Sequence, residues 1–418
     1  MGERALDRPQ IKPQATSKLR RRNYVATLPV DVPLLLIISS LLVVGMLMVY
    51  SSSWDASLLI KQPTTFVFSR QVVFVAVGIM VALVLSVIDY HVYGKVDVLM
   101  MLGGVVILLA GLIFGDIRYN SQRTLFNGSV QPGELAKMGI IIYLSFWLSG
   151  RKEELKSIKD GFIPLLLIIS VVAGLIIAQP DISAAGTIAI LGVLLYYVAG
   201  GDWKQLLLIM VGGIAVGFLV YKVMPTAQAR IHQLIDGMND PMQSSYHIQR
   251  TYEAIIKGRI FGVGLGQATT KFTGLPLAHT DSIFAVIVEE TGLLGAFIVM
   301  GLYAGMVWRG MVIARRAPDQ LGALLAFGLL TWIGLEAIIN VAVIAGLFPF
   351  AGNSLPLISA GGSSMLTTMA AIGIAMNVAR QGVTKESAER SQQNATVDLR
   401  WRDGRRRVPR SDGSGALE

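Results

Sequence analysis

Residues 283–309 read IFAVIVEETGLLGAFIVMGLYAGMVWR, an apolar run interrupted by two adjacent carboxylates, Glu289 and Glu290. A helix rises about 1.5 Å per residue, so a run of this length crosses the roughly 30 Å hydrocarbon core of a bilayer. Comparable runs lie at 32–50, 71–88, 98–114, 134–148, 163–178, 184–199, 205–223, 321–347 and 362–380. With 53% hydrophobic and 15% charged residues and a mean hydropathy of +0.59, the composition excludes a soluble globular protein. The expected fold is an all-α polytopic membrane protein of about ten transmembrane helices, occupying 32–380.

Outside these spans, residues 1–31 are polar and basic and end in KLRRRNYVATLPVD. They lack a small-residue cleavage site after a short apolar core, so a retained cytoplasmic tail is expected. With the N-terminus inside, RKEELKSIKDG (151–161), WRGMVIARRAPDQ (308–320) and the Arg-rich C-terminal tail also fall inside. That is the Lys/Arg bias of cytoplasmic loops, and it makes both termini cytoplasmic. The tail at 381–418 is poor in apolar residues and is expected to be disordered. The net charge of +9 sits mostly in these tails, and without a folded basic module it does not support nucleic-acid binding. The absence of cysteine excludes a disulfide framework and a thiolate metal site. One outer loop, 224–282 between the seventh and eighth helices, is far longer than its neighbours. Its aromatic and apolar content predicts a segment folded against the membrane surface.

Polar clusters gather on the outer side of this topology. LAHTDS (277–282) places Asp281 just before a span, where it reads either as a helix N-cap or as a general base. Glu289 and Glu290 follow about two turns deeper on a straight helix; such groups are rare in a membrane and serve either function or an interhelical pair. In the second cluster Arg123 suits a phosphate or carboxylate, while Glu134 and Lys137, three residues apart, share a helix face as a structural pair. AQPDIS (178–183) sets Gln179 and Asp181 at a turn that Pro180 already explains. The stretch from Gly346 to Ser364 is a Pro/Gly-broken re-entry, and its 361–364 run opens a helix suited to an anion. It lacks a P-loop ending, GVGLG at 262–266 follows no predicted strand, and no His/Glu spacing suggests zinc.

VQPGELAK (130–137), AQPDIS, NDPMQSSYHIQ (239–249), FGVGLGQ (261–267), LAHTDSIFAVIVEETG and LPLISAGGSSM (355–365), in that order, resemble the SEDS (shape, elongation, division, sporulation) family. These are polytopic peptidoglycan glycosyltransferases typified by RodA and FtsW. The resemblance implies a ten-helix enzyme of the bacterial inner membrane that polymerises lipid II at the outer face. It implies Asp281 as the catalytic base, flanked by His279 and Thr280 in the substrate site. Arg123, Gln131, Glu134 and Lys137 would join that site, with Gln179 and Asp181 from the next turn. Glu289 and Glu290 would support the cavity, and Ser359, Gly361, Gly362, Ser363 and Ser364 would complete it. Arg123, Lys137 and the 361–364 N–H groups would stabilise the departing pyrophosphate, with room for a divalent cation and no other cofactor implied. The implied partners are a class B penicillin-binding protein and other division or elongation proteins.

The chain departs from the family pattern at Thr124 in place of Trp, Ser282 in place of Phe, Ala360 in place of Tyr, and Ala184 where QPDLGT has its Thr. The basic tails and the SAGGSS ending look more like the division member. Two other readings stay open. A flippase or secondary transporter would employ Glu134, Glu289 and Glu336, the last placed on the cytoplasmic half of its span, as intramembrane carboxylates. A non-catalytic division scaffold would need none of them.

Overall fold

The computed structural model describes residues 30–114, 116–118, 121–124 and 131–403, with side chains described outside 115–130 and up to 384. The architecture is helical, and the ten expected spans all fall on helices. These are α1 (Val32–Ser52), α3 (Phe66–Val87), α4 (Asp97–Phe114), α5 (Pro132–Ser149), α6 (Ile163–Ala178), α7 (Ile182–Val198), α8 (Trp203–Val223), α11 (Ile283–Arg316), α12 (Gln320–Ile344) and α13 (Gly362–Asp403). The short α2 (Trp54–Leu59) follows α1, while α9 (Pro225–Asn239) and α10 (Tyr246–Gly258) lie in the long loop. Among the described residues, eight helices are long and apolar enough to cross a membrane. α6 reaches 21 residues with the π-helical turn that opens it at Ile158; the other two expected spans are α7, shorter at 17, and α5, which carries Glu134 and Lys137. A two-stranded antiparallel ribbon, β1 (Asp116–Arg118) and β2 (Ser121–Thr124), joins α4 to α5.

α1 and α11 run antiparallel and are tied at both ends. At one end Arg309 makes a bidentate pair with Asp31, the residue that also caps α1 through Leu34 N–H. At the other, Ser51 Oγ donates to Glu290. Those ties are about 20 residues apart on each helix, or about 30 Å, one bilayer core. Residues 283–289 therefore come before the tied part of α11 and add to its length.

Gly292 separates the two parts. Its φ of +72° breaks the helix, leaving unpaired carbonyls before it and unpaired N–H groups after it. The glycine-rich segment 259–264 satisfies both sets. Val263 and Gly264 N–H donate to Glu289 and Glu290 carbonyls at 2.9 and 3.0 Å, and Leu293 and Leu294 N–H donate to Arg259 and Ile260 at 2.9 and 3.1 Å. A Cβ on Gly292 would lie 2.2 Å from the Ile260 oxygen, so only glycine fits. Gly262 and Gly264 of GVGLG thus serve this junction. The expectation that both glutamates sit two turns deeper than Asp281 on a straight span is corrected: the break redirects the 283–291 segment.

Two further differences follow from local chemistry. The long loop holds two helices, and α10 buries Ile248, Thr251, Ala254 and Gly258 along one stripe. α13 continues beyond 380 to Asp403 through a stretch without Pro and, after Gly382, without Gly until Gly404. The core lies between α5, α7, α11, α12 and α13, whereas the apolar window of α8 has no buried residue.

Candidate active site

The HTDS turn is shaped by Leu277, whose φ is +51° and whose carbonyl accepts from Thr280 and Ser282 N–H at 3.0 and 3.2 Å. Three successive carbonyls are then gripped by the far end of the chain. The His279 oxygen accepts from Ala360 N–H at 2.9 Å, the Thr280 oxygen from Ser359 Oγ at 2.7 Å, and the Asp281 oxygen from Asn340 Nδ2 at 3.0 Å. Spending the backbone this way fixes where the Asp281 carboxyl group starts, while the residue stays partly exposed. The N-cap of α11 is Ser282, one residue after Asp281, and its hydroxyl makes no cap bond.

The grip is itself braced. Gln71 on α3 reads the re-entrant loop from both sides, donating to the Ser359 carbonyl at 3.2 Å and accepting from Gly361 N–H at 3.2 Å. Asn340 also donates to the Asn353 carbonyl at 2.6 Å, and Asn353 Oδ1 lies 2.9 Å from Ser183 Oγ, which lies 3.0 Å from Asp181. Asp181 further accepts Ala184 N–H and so starts α7. Gln131 N–H donates to Ser363 Oγ at 3.2 Å, joining the start of α5 to the start of α13 beside Gly362, and Ser354 donates to Ser364. Asp181, Gln131, His279, Thr280, Asp281, Ser359 and the 361–364 turn therefore belong to one hydrogen-bonded assembly. Gln71, Asn340 and Asn353 are its unexpected members. The available signal for Gln71 and Asn340 was an amide alone in an apolar span, which has to find a partner.

Other expected residues are occupied elsewhere. Gln179 is buried and donates to the Leu108 carbonyl at 2.6 Å, fastening α4. Lys137 Nζ donates to Glu134 at 2.6 Å and also to Glu336, with Trp332 Nε1 donating to Glu336 at 2.9 Å. Its expected pair is thus a triad, and its charge is spent there instead of on an open anion site. Glu336 lies past the midpoint of α12, one turn before Asn340 on the same face. It is not in the half of the helix first expected for it. Glu289 accepts from Thr269 N–H at 2.9 Å and from the Thr270 hydroxyl, and Glu290 pairs with Lys271 at 2.7 Å. These carboxylates fall into separate clusters, which leaves the transport reading without a connected path. The side chain of Arg123, on β2, lies outside the described residues. Among the described residues no three His, Asp or Glu gather as a metal-ligand set.

Burial lowers the His279 pKa, so its imidazole is neutral beside Asp281 near pH 7. The assembly offers a partly exposed carboxylate on a rigid backbone, with hydroxyl and amide groups around a helix start.

The Cell cycle protein model of FtsW, RodA and SpoVE matches residues 32–383. The chain belongs to the FtsW/RodA/SpoVE family. Among its relatives is the probable peptidoglycan glycosyltransferase FtsW of Trichlorobacter lovleyi, 33% identical over 83% of this chain and 92% of that one. Another is stage V sporulation protein E of Bacillus subtilis, 32% identical over 84% and 97%. A chain from a structure titled for coordination of polymerization and crosslinking by a peptidoglycan synthase complex is 25% identical, with a TM-score of 0.70 over 84% of this chain and 98% of its own. The rod shape determining protein RodA of Thermus thermophilus, 23% identical with a TM-score of 0.63 over 86% and 98%, shares the fold. Against the family pattern, Ala360 contributes its backbone N–H to the grip on His279, and Ser282 is fully buried.

Proposed function

We propose that this FtsW/RodA/SpoVE-family chain is a peptidoglycan glycosyltransferase of the bacterial inner membrane that polymerises lipid II into β-1,4 glycan. The observation that carries the reading is Asp281, a partly exposed carboxylate whose own carbonyl and the two before it are held in sequence by Asn340, Ser359 and Ala360. Such preorganisation suits a general base, which must stand within hydrogen-bond reach of the proton it removes. The acceptor sugar's 4-hydroxyl gives its proton to Asp281 as its oxygen forms a bond to the donor's anomeric carbon. The bond from that carbon to the lipid pyrophosphate breaks, and the configuration inverts from α to β. The departing pyrophosphate takes its stabilisation from Arg123 and the N–H groups at 362–364, the Gly361 N–H being held by Gln71. Lys137 instead holds Glu134 and Glu336 and works through α12.

The Lys/Arg-rich segments support a topology with both termini in the cytoplasm and Asp281 at the outer face. The match to the Cell cycle protein family supports a role in division, and the family resemblance implies a class B penicillin-binding protein as the crosslinking partner. The test is polymerisation of purified lipid II by the parent, Asp281→Ala and Asp281→Asn with that partner present. Both variants are expected to stay folded and to lose glycan synthesis by about 100-fold or more. Parental rates in Asp281→Ala would remove the base assignment, and flipping of lipid II without polymer would return the transport reading.

A further inference from the structure

Ser282 stands at the N-cap of α11, where a serine hydroxyl ordinarily accepts a backbone N–H of the first turn. Here it turns away. Its Oγ lies 2.7 Å from the Pro276 carbonyl oxygen and 2.8 Å from His247 Nε2, and the residue is fully buried. One hydroxyl hydrogen cannot serve both neighbours. A carbonyl oxygen can only accept, so the hydrogen goes to Pro276 and His247 must carry its own proton on Nε2 and donate to Ser282. Burial lowers the His247 pKa to about 4, so the ring is neutral and holds that single tautomer at neutral pH. Its other face packs on Phe350, with ring centroids 4.3 Å apart. His247 is the second residue of α10, in the long loop, while Ser282 directly follows Asp281.

We propose that His247 and Ser282 are a positioning pair: the imidazole fixes the Ser282 hydroxyl, which holds both ends of the 276–282 turn and so sets the Asp281 carboxylate for proton transfer. This rests on the general-base reading of Asp281. The carbonyl grips restrain residues 279–281 from the membrane side, and the His247–Ser282–Pro276 chain restrains them from the loop side. The pair gives α10 a defined task, coupling the long loop to the reacting carboxylate through one hydrogen-bonded hydroxyl. Neither side chain is exposed enough to touch substrate, so neither is a catalytic residue.

The experiment compares the parent with His247→Phe, His247→Gln, Ser282→Ala and the H247F/S282A double variant. Phenylalanine keeps the packing on Phe350 without a donor, whereas glutamine keeps an N–H donor. Lipid II polymerisation is measured as kcat and KM, with hydrogen–deuterium exchange followed across 275–285. His247→Phe and Ser282→Ala are each expected to lower kcat by about 10- to 100-fold with KM little changed. The double variant is expected to be no worse than either single one, and His247→Gln is expected to recover most of the loss. Faster exchange at 275–285 is expected in both donor-deficient variants but not in His247→Gln. Parental kcat and exchange in folded His247→Phe, or equal damage from Gln and Phe, would overturn the pair. If the parent itself makes no glycan, or Asp281→Asn retains parental activity, the general-base reading falls, while the exchange data still decide whether the pair orders the turn.

Discussion

Lys137 is the clearest case of one side chain holding a site together from a distance. It sits 3% exposed between Glu134 and Glu336, with Glu134 Oε2 lacking a hydrogen-bond partner among the described residues. Removing one member of a buried ionic group strands the others in a medium that solvates them poorly. Lys137→Met is therefore expected to destabilise the protein by about 3–5 kcal/mol, read as a fall in thermal unfolding temperature in detergent. The triple replacement K137M/E134Q/E336Q removes the stranded charge and is expected to recover much of that loss. Equal destabilisation of the single and triple variants would mean that packing, not charge, dominates at this position. Because Glu336 and Asn340 lie one turn apart on α12, the damage is expected to reach the Asp281 turn as well.

Among the elements, α11 separates what a reader of the sequence can see from what is hidden. Its apolar run announces a span, and the same reasoning locates the other helices. The break at Gly292 is invisible to that reasoning, because a glycine inside an apolar run is tolerated in membrane helices and the 259–264 segment that completes it lies about thirty residues earlier. The same limit applies to the site. The HTDS turn stands out as polar residues at the mouth of a span, but the partners Gln71 and Ser359, or Asn340 and Asp281, meet only in the folded molecule. α10 was readable in principle from its Ile248, Thr251, Ala254 and Gly258 stripe, which its polar residues dilute. Gly292→Ala tests the break directly. With φ at +72° and a contact at 2.2 Å, it is expected to cost more than about 1 kcal/mol and to lower glycan synthesis, with faster exchange at both 259–264 and 289–294. A variant that is neutral in stability and exchange would show the backbone there to be adaptable.

On the scale of the molecule, the end opposite the site has its own tie. His91, between α3 and α4, places Nδ1 2.7 Å from Asp89 and Nε2 2.7 Å from Asp319, the N-cap of α12. Both nitrogens can donate only in the protonated ring. Burial alone would lower its pKa, but the hydrogen bonds to Asp89 and Asp319 outweigh it and the net direction is upward. A raised folded-state pKa gives stability that is fully present below the unfolded value near 6.5 and fades as pH rises through the folded value. Thermal stability of the parent relative to His91→Asn is expected to be greatest near pH 6 and to shrink toward pH 9. A difference independent of pH would assign His91 a packing role only. Asp89, drawn down to about 2 chiefly by its hydrogen bond from Gln381, contributes in the opposite direction: its stabilisation is complete above the unfolded value near 3.8 and disappears in acid.

The grip on residues 279–281 also carries a chronology. Each donor that holds those carbonyls, Asn340, Ser359 and Ala360, is translated later than Asp281, and Gln71 waits from much earlier in the chain to brace them. While the nascent protein is being threaded into the membrane, the aspartate reaches its side before anything exists to aim it. The turn is therefore set only late in synthesis: a ribosome stalled before Asn340 leaves a polypeptide with the carboxylate present and none of the three donors yet made.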